Sequence, residues 1–530
     1  MKLNFKSGTI LFYTMLLIVL MHVYLAKQKV MYGGDEIISY LCATVNQDNY
    51  SVVLHQQPPY GKLVPAGEWK KFFEINEPYA YNRIAIDLSK TDLHPPLYFW
   101  ILHTFTVWFG MHNFNGIILN FLFQLLTLWP LFKLASLLLK NRVKAAYVVF
   151  FWSFTPALIS GVLYFARPYM LLSLIHICYA LTFFSYFMKQ ENLLHRIMLL
   201  LITTMGLLVH YSFFITGLCY LLIAVLYFRK TAYRKLLFIV LVWIISVIIL
   251  WLIHPHFSNS FILQQERTTS FSFHQLIARI GKTGIGFMQF LIPVMMMKHS
   301  LMMLSETFLW IFFLGGTIIL ITLILVYKNT LKHLSLKVIT HLRHDFFLPT
   351  VILISLAAIA PYLLFIFPFH AMGGQYLISV YPYLAMLLVL LFYRSNYAVK
   401  TGLITIFCLG SIVTLFDFYN LQNNKYGVLI NRLQQQKLII ADNTDRRSFP
   451  RLIPYLKPEQ LILLINKDDR KFDSTLQAIN NLYPNYTLIS SVQTGYEKQK
   501  FVSADPSKQF DLEDGILWVI TEHHPKKQYY

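Results

Sequence analysis

The sequence predicts an all-α polytopic membrane protein of about 11 spans, with interfacial helices and a small α/β domain at its C-terminal end. Three observations predict it. Of 530 residues, 56% are hydrophobic and only 13% are charged, whereas soluble domains carry about 25% charged residues. Apolar segments near the length of a bilayer-spanning helix recur along the first four-fifths of the chain. The composition then turns polar, charged and punctuated after residue 418. A mean hydropathy of +0.52 excludes a disordered basic tail, a collagen-like chain and an ordinary cytosolic enzyme. The net charge of +20 suggests an anionic partner, but this apolar content points to a membrane and not to nucleic acid.

The expected spans are 9–26, 116–139, 145–165, 169–188, 197–211, 213–228, 236–253, 307–327, 346–368, 376–393 and 401–418. The fifth and sixth meet at His210-Tyr211-Ser212 with almost no loop. Two shorter apolar stretches, 95–110 and 284–297, read as interfacial or partly re-entrant helices. The first span follows Lys2 and Lys6 like a signal sequence. Tyr24, in Val23-Tyr24-Leu25-Ala26, spoils a small-residue cleavage site. It reads as an uncleaved anchor.

Orientation follows from short-loop lysines and arginines. With the N-terminus in the cytoplasm, the cytoplasmic segments hold 17 basic residues against two acidic ones, Glu191 and Asp345. The opposite side holds 27 basic and 22 acidic residues. Most of the +20 is therefore an orientation signal. Counting only 95–110 as a further span would put the Lys140–Lys144 cluster outside. The expected location is a bacterial inner (cytoplasmic) membrane, with the tail on the periplasmic side.

The chain then divides into a membrane domain, 1–418, with outer loops 27–115 and 254–306, and a soluble α/β domain, 419–530. Within the latter, 437–442, 461–466, 487–492 and 515–521 read as strands and 471–482 as a helix. Cys178, Cys219 and Cys408 fall in apolar runs and Cys42 in a loop. Without a Cys-x-x-Cys pair they read as small hydrophobes, not as zinc ligands or a disulfide framework. The sequons Asn49–Ser51 and Asn485–Thr487 do not establish a eukaryotic host.

Lys133 and Asp417 are the main charges within the spans. An ion-coupled transporter needs ionisable groups at the midplane. Chemistry is therefore expected at the outer surface. The first outer loop opens with Tyr32-Gly33-Gly34-Asp35-Glu36. Asp35 reads either as a helix N-cap with Glu36 in the first turn, or as a carboxylate base or metal ligand at the membrane–water boundary. The loop closes with Asp92-Leu93-His94-Pro95-Pro96-Leu97-Tyr98. His94 is either a solvated cap or a partner of Asp35 at the same surface.

An Asp-Glu pair after a short N-terminal span, with His-Pro-Pro-Leu-Tyr closing the loop, resembles the GT-C glycosyltransferases. The nearest group is the protein O-mannosyltransferase-like one that includes lipid A aminoarabinose transferases. The resemblance is carried by residues 9–230 and beyond them by layout. It implies an inverting hexosyl- or pentosyltransferase that takes a sugar from a polyprenyl-phosphate donor. The acceptor would be an extracytoplasmic glycan, lipid (lipid A or lipopolysaccharide) or protein. Membrane lipids are partners and nucleic acid is not. The resemblance makes Asp35, with Glu36 in support, the candidate base or a residue that helps orient the acceptor.

A departing lipid phosphate needs cations or donors aimed at it, and Arg suits the task. Arg167, beside Tyr169 at the outer turn between the third and fourth spans, is either such a group or a snorkelling anchor. His94, His210, Tyr211 and Arg267 are further candidates. His210 and Tyr211 also read as interfacial packing, and Arg267 as a surface partner of Glu266. Relatives often carry Arg-Tyr where this chain has Gln375-Tyr376, which removes one expected cation. A divalent metal, if used, has Asp35, Glu36 and Asp92 as its candidate ligands. The rival readings are a glycolipid transporter or flippase and a non-catalytic scaffold. The tail is expected to help recognise the acceptor.

Overall fold

A computed structural model of the chain describes residues 7–55, 62–92, 94–188, 192–228, 232–254, 257–259, 288–293, 354, 377–442, 448–465, 486–490, 509–512 and 515–520. The membrane part starts with α1 (Ser7–Gln28). The elements of the loop 27–115 follow: α2 (Gly34–Ala43), α3 (Gln47–His55), β1 (Leu63–Pro65), α4 (Ala66–Lys70), α5 (Tyr81–Thr91) and α6 (Leu97–Phe109). The bundle continues with α7 (Asn115–Leu139), α8 (Arg142–Ser153), α9 (Pro156–Leu158), α10 (Tyr169–Met188), α11 (Leu193–Val209), α12 (Ser212–Phe228) and α13 (Tyr233–Ile253). It resumes at α14 (Tyr381–Arg394) and α15 (Tyr397–Tyr419). α16 (Val428–Gln435), β2 (Leu438–Asp442), α17 (Ser448–Leu452), β3 (Leu461–Ile465), β4 (Tyr486–Ser490), β5 (Gln509–Leu512) and β6 (Gly515–Ile520) complete the order.

Among the described residues, six helices are long and apolar enough to cross a membrane, and four shorter apolar helices accompany them. The helices are apolar on both faces, as a bilayer requires. On α13, Leu237, Leu241, Ile244, Ile248 and Trp251 are exposed at helical spacing, while Ile239, Val242, Ser246 and Leu250 face the bundle. A row of exposed apolar side chains this long suits hydrocarbon, not water. The expected spans at 307–327 and 346–368 lie outside the described residues, apart from Ile354. So do most of 284–297 and the helix expected at 471–482. The stretch 95–110 forms the 13-residue helix α6, too short to span.

The C-terminal part is a six-stranded mixed sheet of order β1-β3-β2-β4-β6-β5. β2 pairs in parallel with β3 and β4, while β6 runs antiparallel to β4 and β5. All four expected strands are present, and β5 is an addition. β1 is also an addition, and it comes from the loop between α1 and α7. It pairs antiparallel with β3, Val64 opposite Ile462. Three residues with no alternating pattern carry too little signal to be read as a strand.

The expected boundary at 418/419 falls inside a continuous helical rod. α15 passes through a π-helical stretch, Asn420–Gly427, into α16 without breaking. Cys42, expected in a loop, lies in α2 and is buried. Its apolar neighbours Ile37, Tyr40 and Leu41 belong to the same core.

Candidate functional site

The site is built around the five residues between α1 and α2. Gly33, not Asp35, is the N-cap of α2, and its carbonyl accepts the first helical bond from Ile37 N–H at 3.1 Å. The cause is Glu36, whose Oε2 reaches back to Gly33 N–H at 2.9 Å, one half of a capping box. The Glu36 Oε1 accepts Lys29 Nζ at 2.5 Å and Ala166 N–H at 2.9 Å. Lys29 and Glu36 side chains are both wholly buried. Burial pushes the Lys29 pKa down and Glu36 opposes that shift. Glu36 thus joins three chain segments.

The second segment is the turn 164–168, between α9 and α10. A π-helical stretch at Ile159–Leu163 and the turn after it leave carbonyls without helical partners. Asn120, wholly buried on α7, donates to the carbonyls of Val162, Leu163 and Phe165 at 2.9, 3.1 and 2.7 Å. Lys29 Nζ donates to the carbonyl of Tyr164 at 2.5 Å. Two glycines permit the close approach. A Cβ on Gly116 would stand 2.6 Å from Ala166 N, and one on Gly33 would stand 2.4 Å from the Phe165 ring.

This turn aims Arg167 at the first turn of α2. Its guanidinium donates to the backbone carbonyl of Asp35 and to Ser39 Oγ, each at 3.2 Å. Arg167 is 8% exposed, and Tyr169 lies beside it, ring centroid 6.0 Å from Cζ. Asp35 is half-buried on the same helix face as Ser39, four residues on. Its carboxylate sits at the positive end of the α2 dipole. Tyr98, wholly buried, lies within electrostatic reach of Glu36 and Arg167; burial pushes its pKa up, Glu36 adds to this and Arg167 opposes it.

The third wall comes from His94 and His210. His94 Nδ1 lies 2.6 Å from Asp92 Oδ1, so Nδ1 carries the proton and Nε2 faces away from the carboxylate. The His94 and His210 rings pack edge to face at 5.2 Å. His210 Nδ1 accepts Ser212 N–H at 3.1 Å, which puts its proton on Nε2. Burial pushes the His210 pKa down; the neighbouring His94, Arg167 and His176 add to this and Asp92 opposes it. Tyr169 completes the set, 6.1 Å from the His210 ring.

The structure therefore brings Asp35, Glu36, Asp92, His94, Arg167, Tyr169 and His210 to one place at one end of the bundle. Tyr211 adjoins His210 at the turn between α11 and α12. Arg267, Gln375 and Tyr376 lie outside the described residues. Sequence reasoning missed Ser39, Lys29 and Asn120. The four-residue spacing of Asp35 and Ser39 was a usable signal, whereas Lys29 and Asn120 act through contacts with no sequence pattern. Among the described residues no group of three His, Cys, Asp or Glu side chains is placed to hold a metal. Both Glu36 oxygens hold backbone or lysine donors, and Asp92 holds His94, so the three expected ligands do not form one donor set.

The chain is similar to solved membrane-protein structures. ArnT from Cupriavidus metallidurans bound to undecaprenyl phosphate superposes with a TM-score of 0.49 and 10% identity, over 96% of this chain and 97% of that one. The same protein in the apo state gives 0.48 and 10%, over 97% and 98%. The Archaeoglobus fulgidus oligosaccharyltransferase in complex with Zn and sulfate gives 0.42 and 11%, over 92% and 68%. Neither a protein-family model nor a curated protein sequence matches the chain.

Proposed function

We propose that this protein is a GT-C-type glycosyltransferase. It takes a sugar from a polyprenyl-phosphate donor in the bilayer and transfers it to an acceptor on the extracytoplasmic face. The observation that carries the reading is the convergence of Asp35, half-buried and bonded through its backbone to Arg167, with His94 and His210, which pack around Tyr169 beside Arg167. They come from four separate segments, at the mouth of a bundle otherwise nearly free of charge.

Asp35 accepts the proton of the acceptor hydroxyl as that oxygen attacks the anomeric carbon. The bond from that carbon to the phosphate oxygen breaks, and lipid phosphate leaves with increased negative charge. Arg167 and the Nε2–H of His210 are donors fixed in advance for that charge. His94, its Nδ1 held by Asp92, adds a second imidazole edge. Glu36 is a positioning residue: its three bonds hold Asp35's helix against Arg167's turn. Direct attack opposite the leaving group inverts the anomeric configuration.

The acceptor is a lipid, glycan or protein carrying a hydroxyl or amine, and the location is a cytoplasmic membrane with the tail outside. The test uses the full chain in lipid vesicles with synthetic polyprenyl-phosphate sugars. Mass spectrometry follows release of polyprenyl phosphate and gain of the sugar by extracted envelope glycans. Release and gain in equal amounts support the reading. Translocation of the donor with its sugar still attached supports a flippase and overturns it.

A further inference from the structure

The backbone amides of residues 29–33 show what fixes Asp35 in place. Lys29 N–H bonds within α1, to Leu25 at 3.0 Å, and Gly33 N–H bonds to Glu36. The three between them go to the C-terminal part of the chain. Gln422 Oε1 accepts Val30 N–H and Met31 N–H, both at 2.9 Å. Tyr455 Oη accepts Tyr32 N–H at 3.1 Å. Gln422 is 2% exposed, in the π-helical stretch where the rod leaves the bundle. A wider helical turn there rotates Gln422 toward α1, where the chain also receives Asn423 Nδ2 on Gln28 Oε1 at 3.0 Å.

The grip extends along the loop. The Tyr455 ring packs on Tyr32 at 5.8 Å, and Tyr32 on Tyr40 of α2 at 5.0 Å. Phe449 of α17 meets Trp69 edge to face at 5.2 Å. Ala66 N–H and Gly67 N–H bond to the carbonyls of Gln460 and Pro458 at 2.7 and 3.0 Å, next to the β1–β3 pairing. The loop that carries Asp35 is therefore held by the C-terminal part at its entrance and through its middle.

We infer that Gln422 and Tyr455 are positioning residues for the transfer reaction, so that the C-terminal unit completes the active site by fixing the linker that leads into Asp35's helix. For its catalytic consequence this rests on the proposed role of Asp35. For its structural claim it does not. Two amides, that of Met31 buried and that of Val30 partly so, share one side-chain oxygen at Gln422, and a buried donor without an acceptor is costly. An aliphatic side chain there releases both amides, whereas a glutamate keeps an acceptor for them.

The test uses the full chain in nanodiscs, as Q422L, Y455F and Q422E. Hydrogen exchange of residues 29–40 is read by mass spectrometry beside transfer kinetics. In Q422L and Y455F the amides of this segment are expected to exchange roughly tenfold faster or more, as a lost acceptor implies. Their kcat is expected to fall by about tenfold or more, with the donor KM within about twofold, because the loss is of geometry and not of donor contacts. Q422E is expected to restore both. Unchanged exchange in Q422L and Y455F overturns the inference, and so does faster exchange with unchanged kcat. If the wild-type chain transfers no sugar, the proposed function fails, and the exchange arm alone decides whether the C-terminal unit holds the linker.

Discussion

The carboxylate of Glu36 lies 2.5 Å from the ammonium of Lys29, both cut off from solvent, at the junction of α1, α2 and the turn that presents Arg167. A buried pair of this kind is expensive to break from one side, because the remaining charge stays desolvated.

K29M leaves the Glu36 carboxylate with only its two backbone donors. It is expected to lower stability by about 3–5 kcal/mol. The double variant K29M/E36Q is expected to lose less than the sum of its single changes. Denaturation midpoints of the four proteins in one detergent check this. Strict additivity would show that the two side chains do not act as a pair.

The two close-approach glycines are expected to differ. At Gly116 a methyl group meets the backbone of Ala166, which cannot move without dragging Arg167, whereas at Gly33 it meets the Phe165 ring. G116A is expected to destabilise by about 1–3 kcal/mol, and G33A by less, since a ring can turn away. Thermal unfolding of both variants checks the order.

Much of the fold was legible. Most described spans stand within a few residues of their apolar segments, because hydrocarbon demands long apolar runs and the sequence cannot hide them. Asp35, His94 and Arg167 were each read at one membrane surface beside a recognisable turn, and Arg167 reaches the backbone of Asp35. Glu36's role as a clamp was not legible. It depends on Lys29, seven residues earlier, and on Ala166, far along the chain. The docking of the C-terminal unit was equally hidden, because Gln422, Tyr455 and the short β1–β3 pairing carry much of it through backbone groups that impose no pattern.

Asp87 supplies a pH dependence. It accepts Gln47 N–H and Asp48 N–H at 3.1 and 2.7 Å, holding the start of α3. Burial pushes its pKa up from 3.8 to about 7; the two amides oppose the shift, Asp48's charge adds to it and Lys90 opposes it. The native state then binds the proton more tightly than the unfolded chain. Its contribution to stability is therefore greatest below pH 3.8 and is lost as pH rises toward about 7. Amide exchange at the start of α3, corrected for its intrinsic pH dependence, is expected to accelerate across this window. D87N is expected to abolish that response, and a slope that survives in D87N contradicts the assignment.

His210 is expected to stay neutral well below pH 6.5, since burial, with the Arg167 cation nearby, pushes its pKa down. Nitrogen-15 spectra of the ring are expected to show a bare Nδ1, bonded to Ser212 N–H, and a protonated Nε2. Titration near pH 6.5 would remove His210 as a fixed neutral donor.

The central claim is that Asp35 is the base at the outer membrane surface. The most direct measurement is mass spectrometry of envelope glycans from cells lacking the gene and complemented with the wild-type chain or with D35N. Aspartate and asparagine have nearly the same shape, so D35N is expected to fold and insert like the wild type. It should nonetheless fail to restore the sugar, with a rate loss of about 10²–10⁴. Full restoration by D35N at equal membrane abundance would contradict the account.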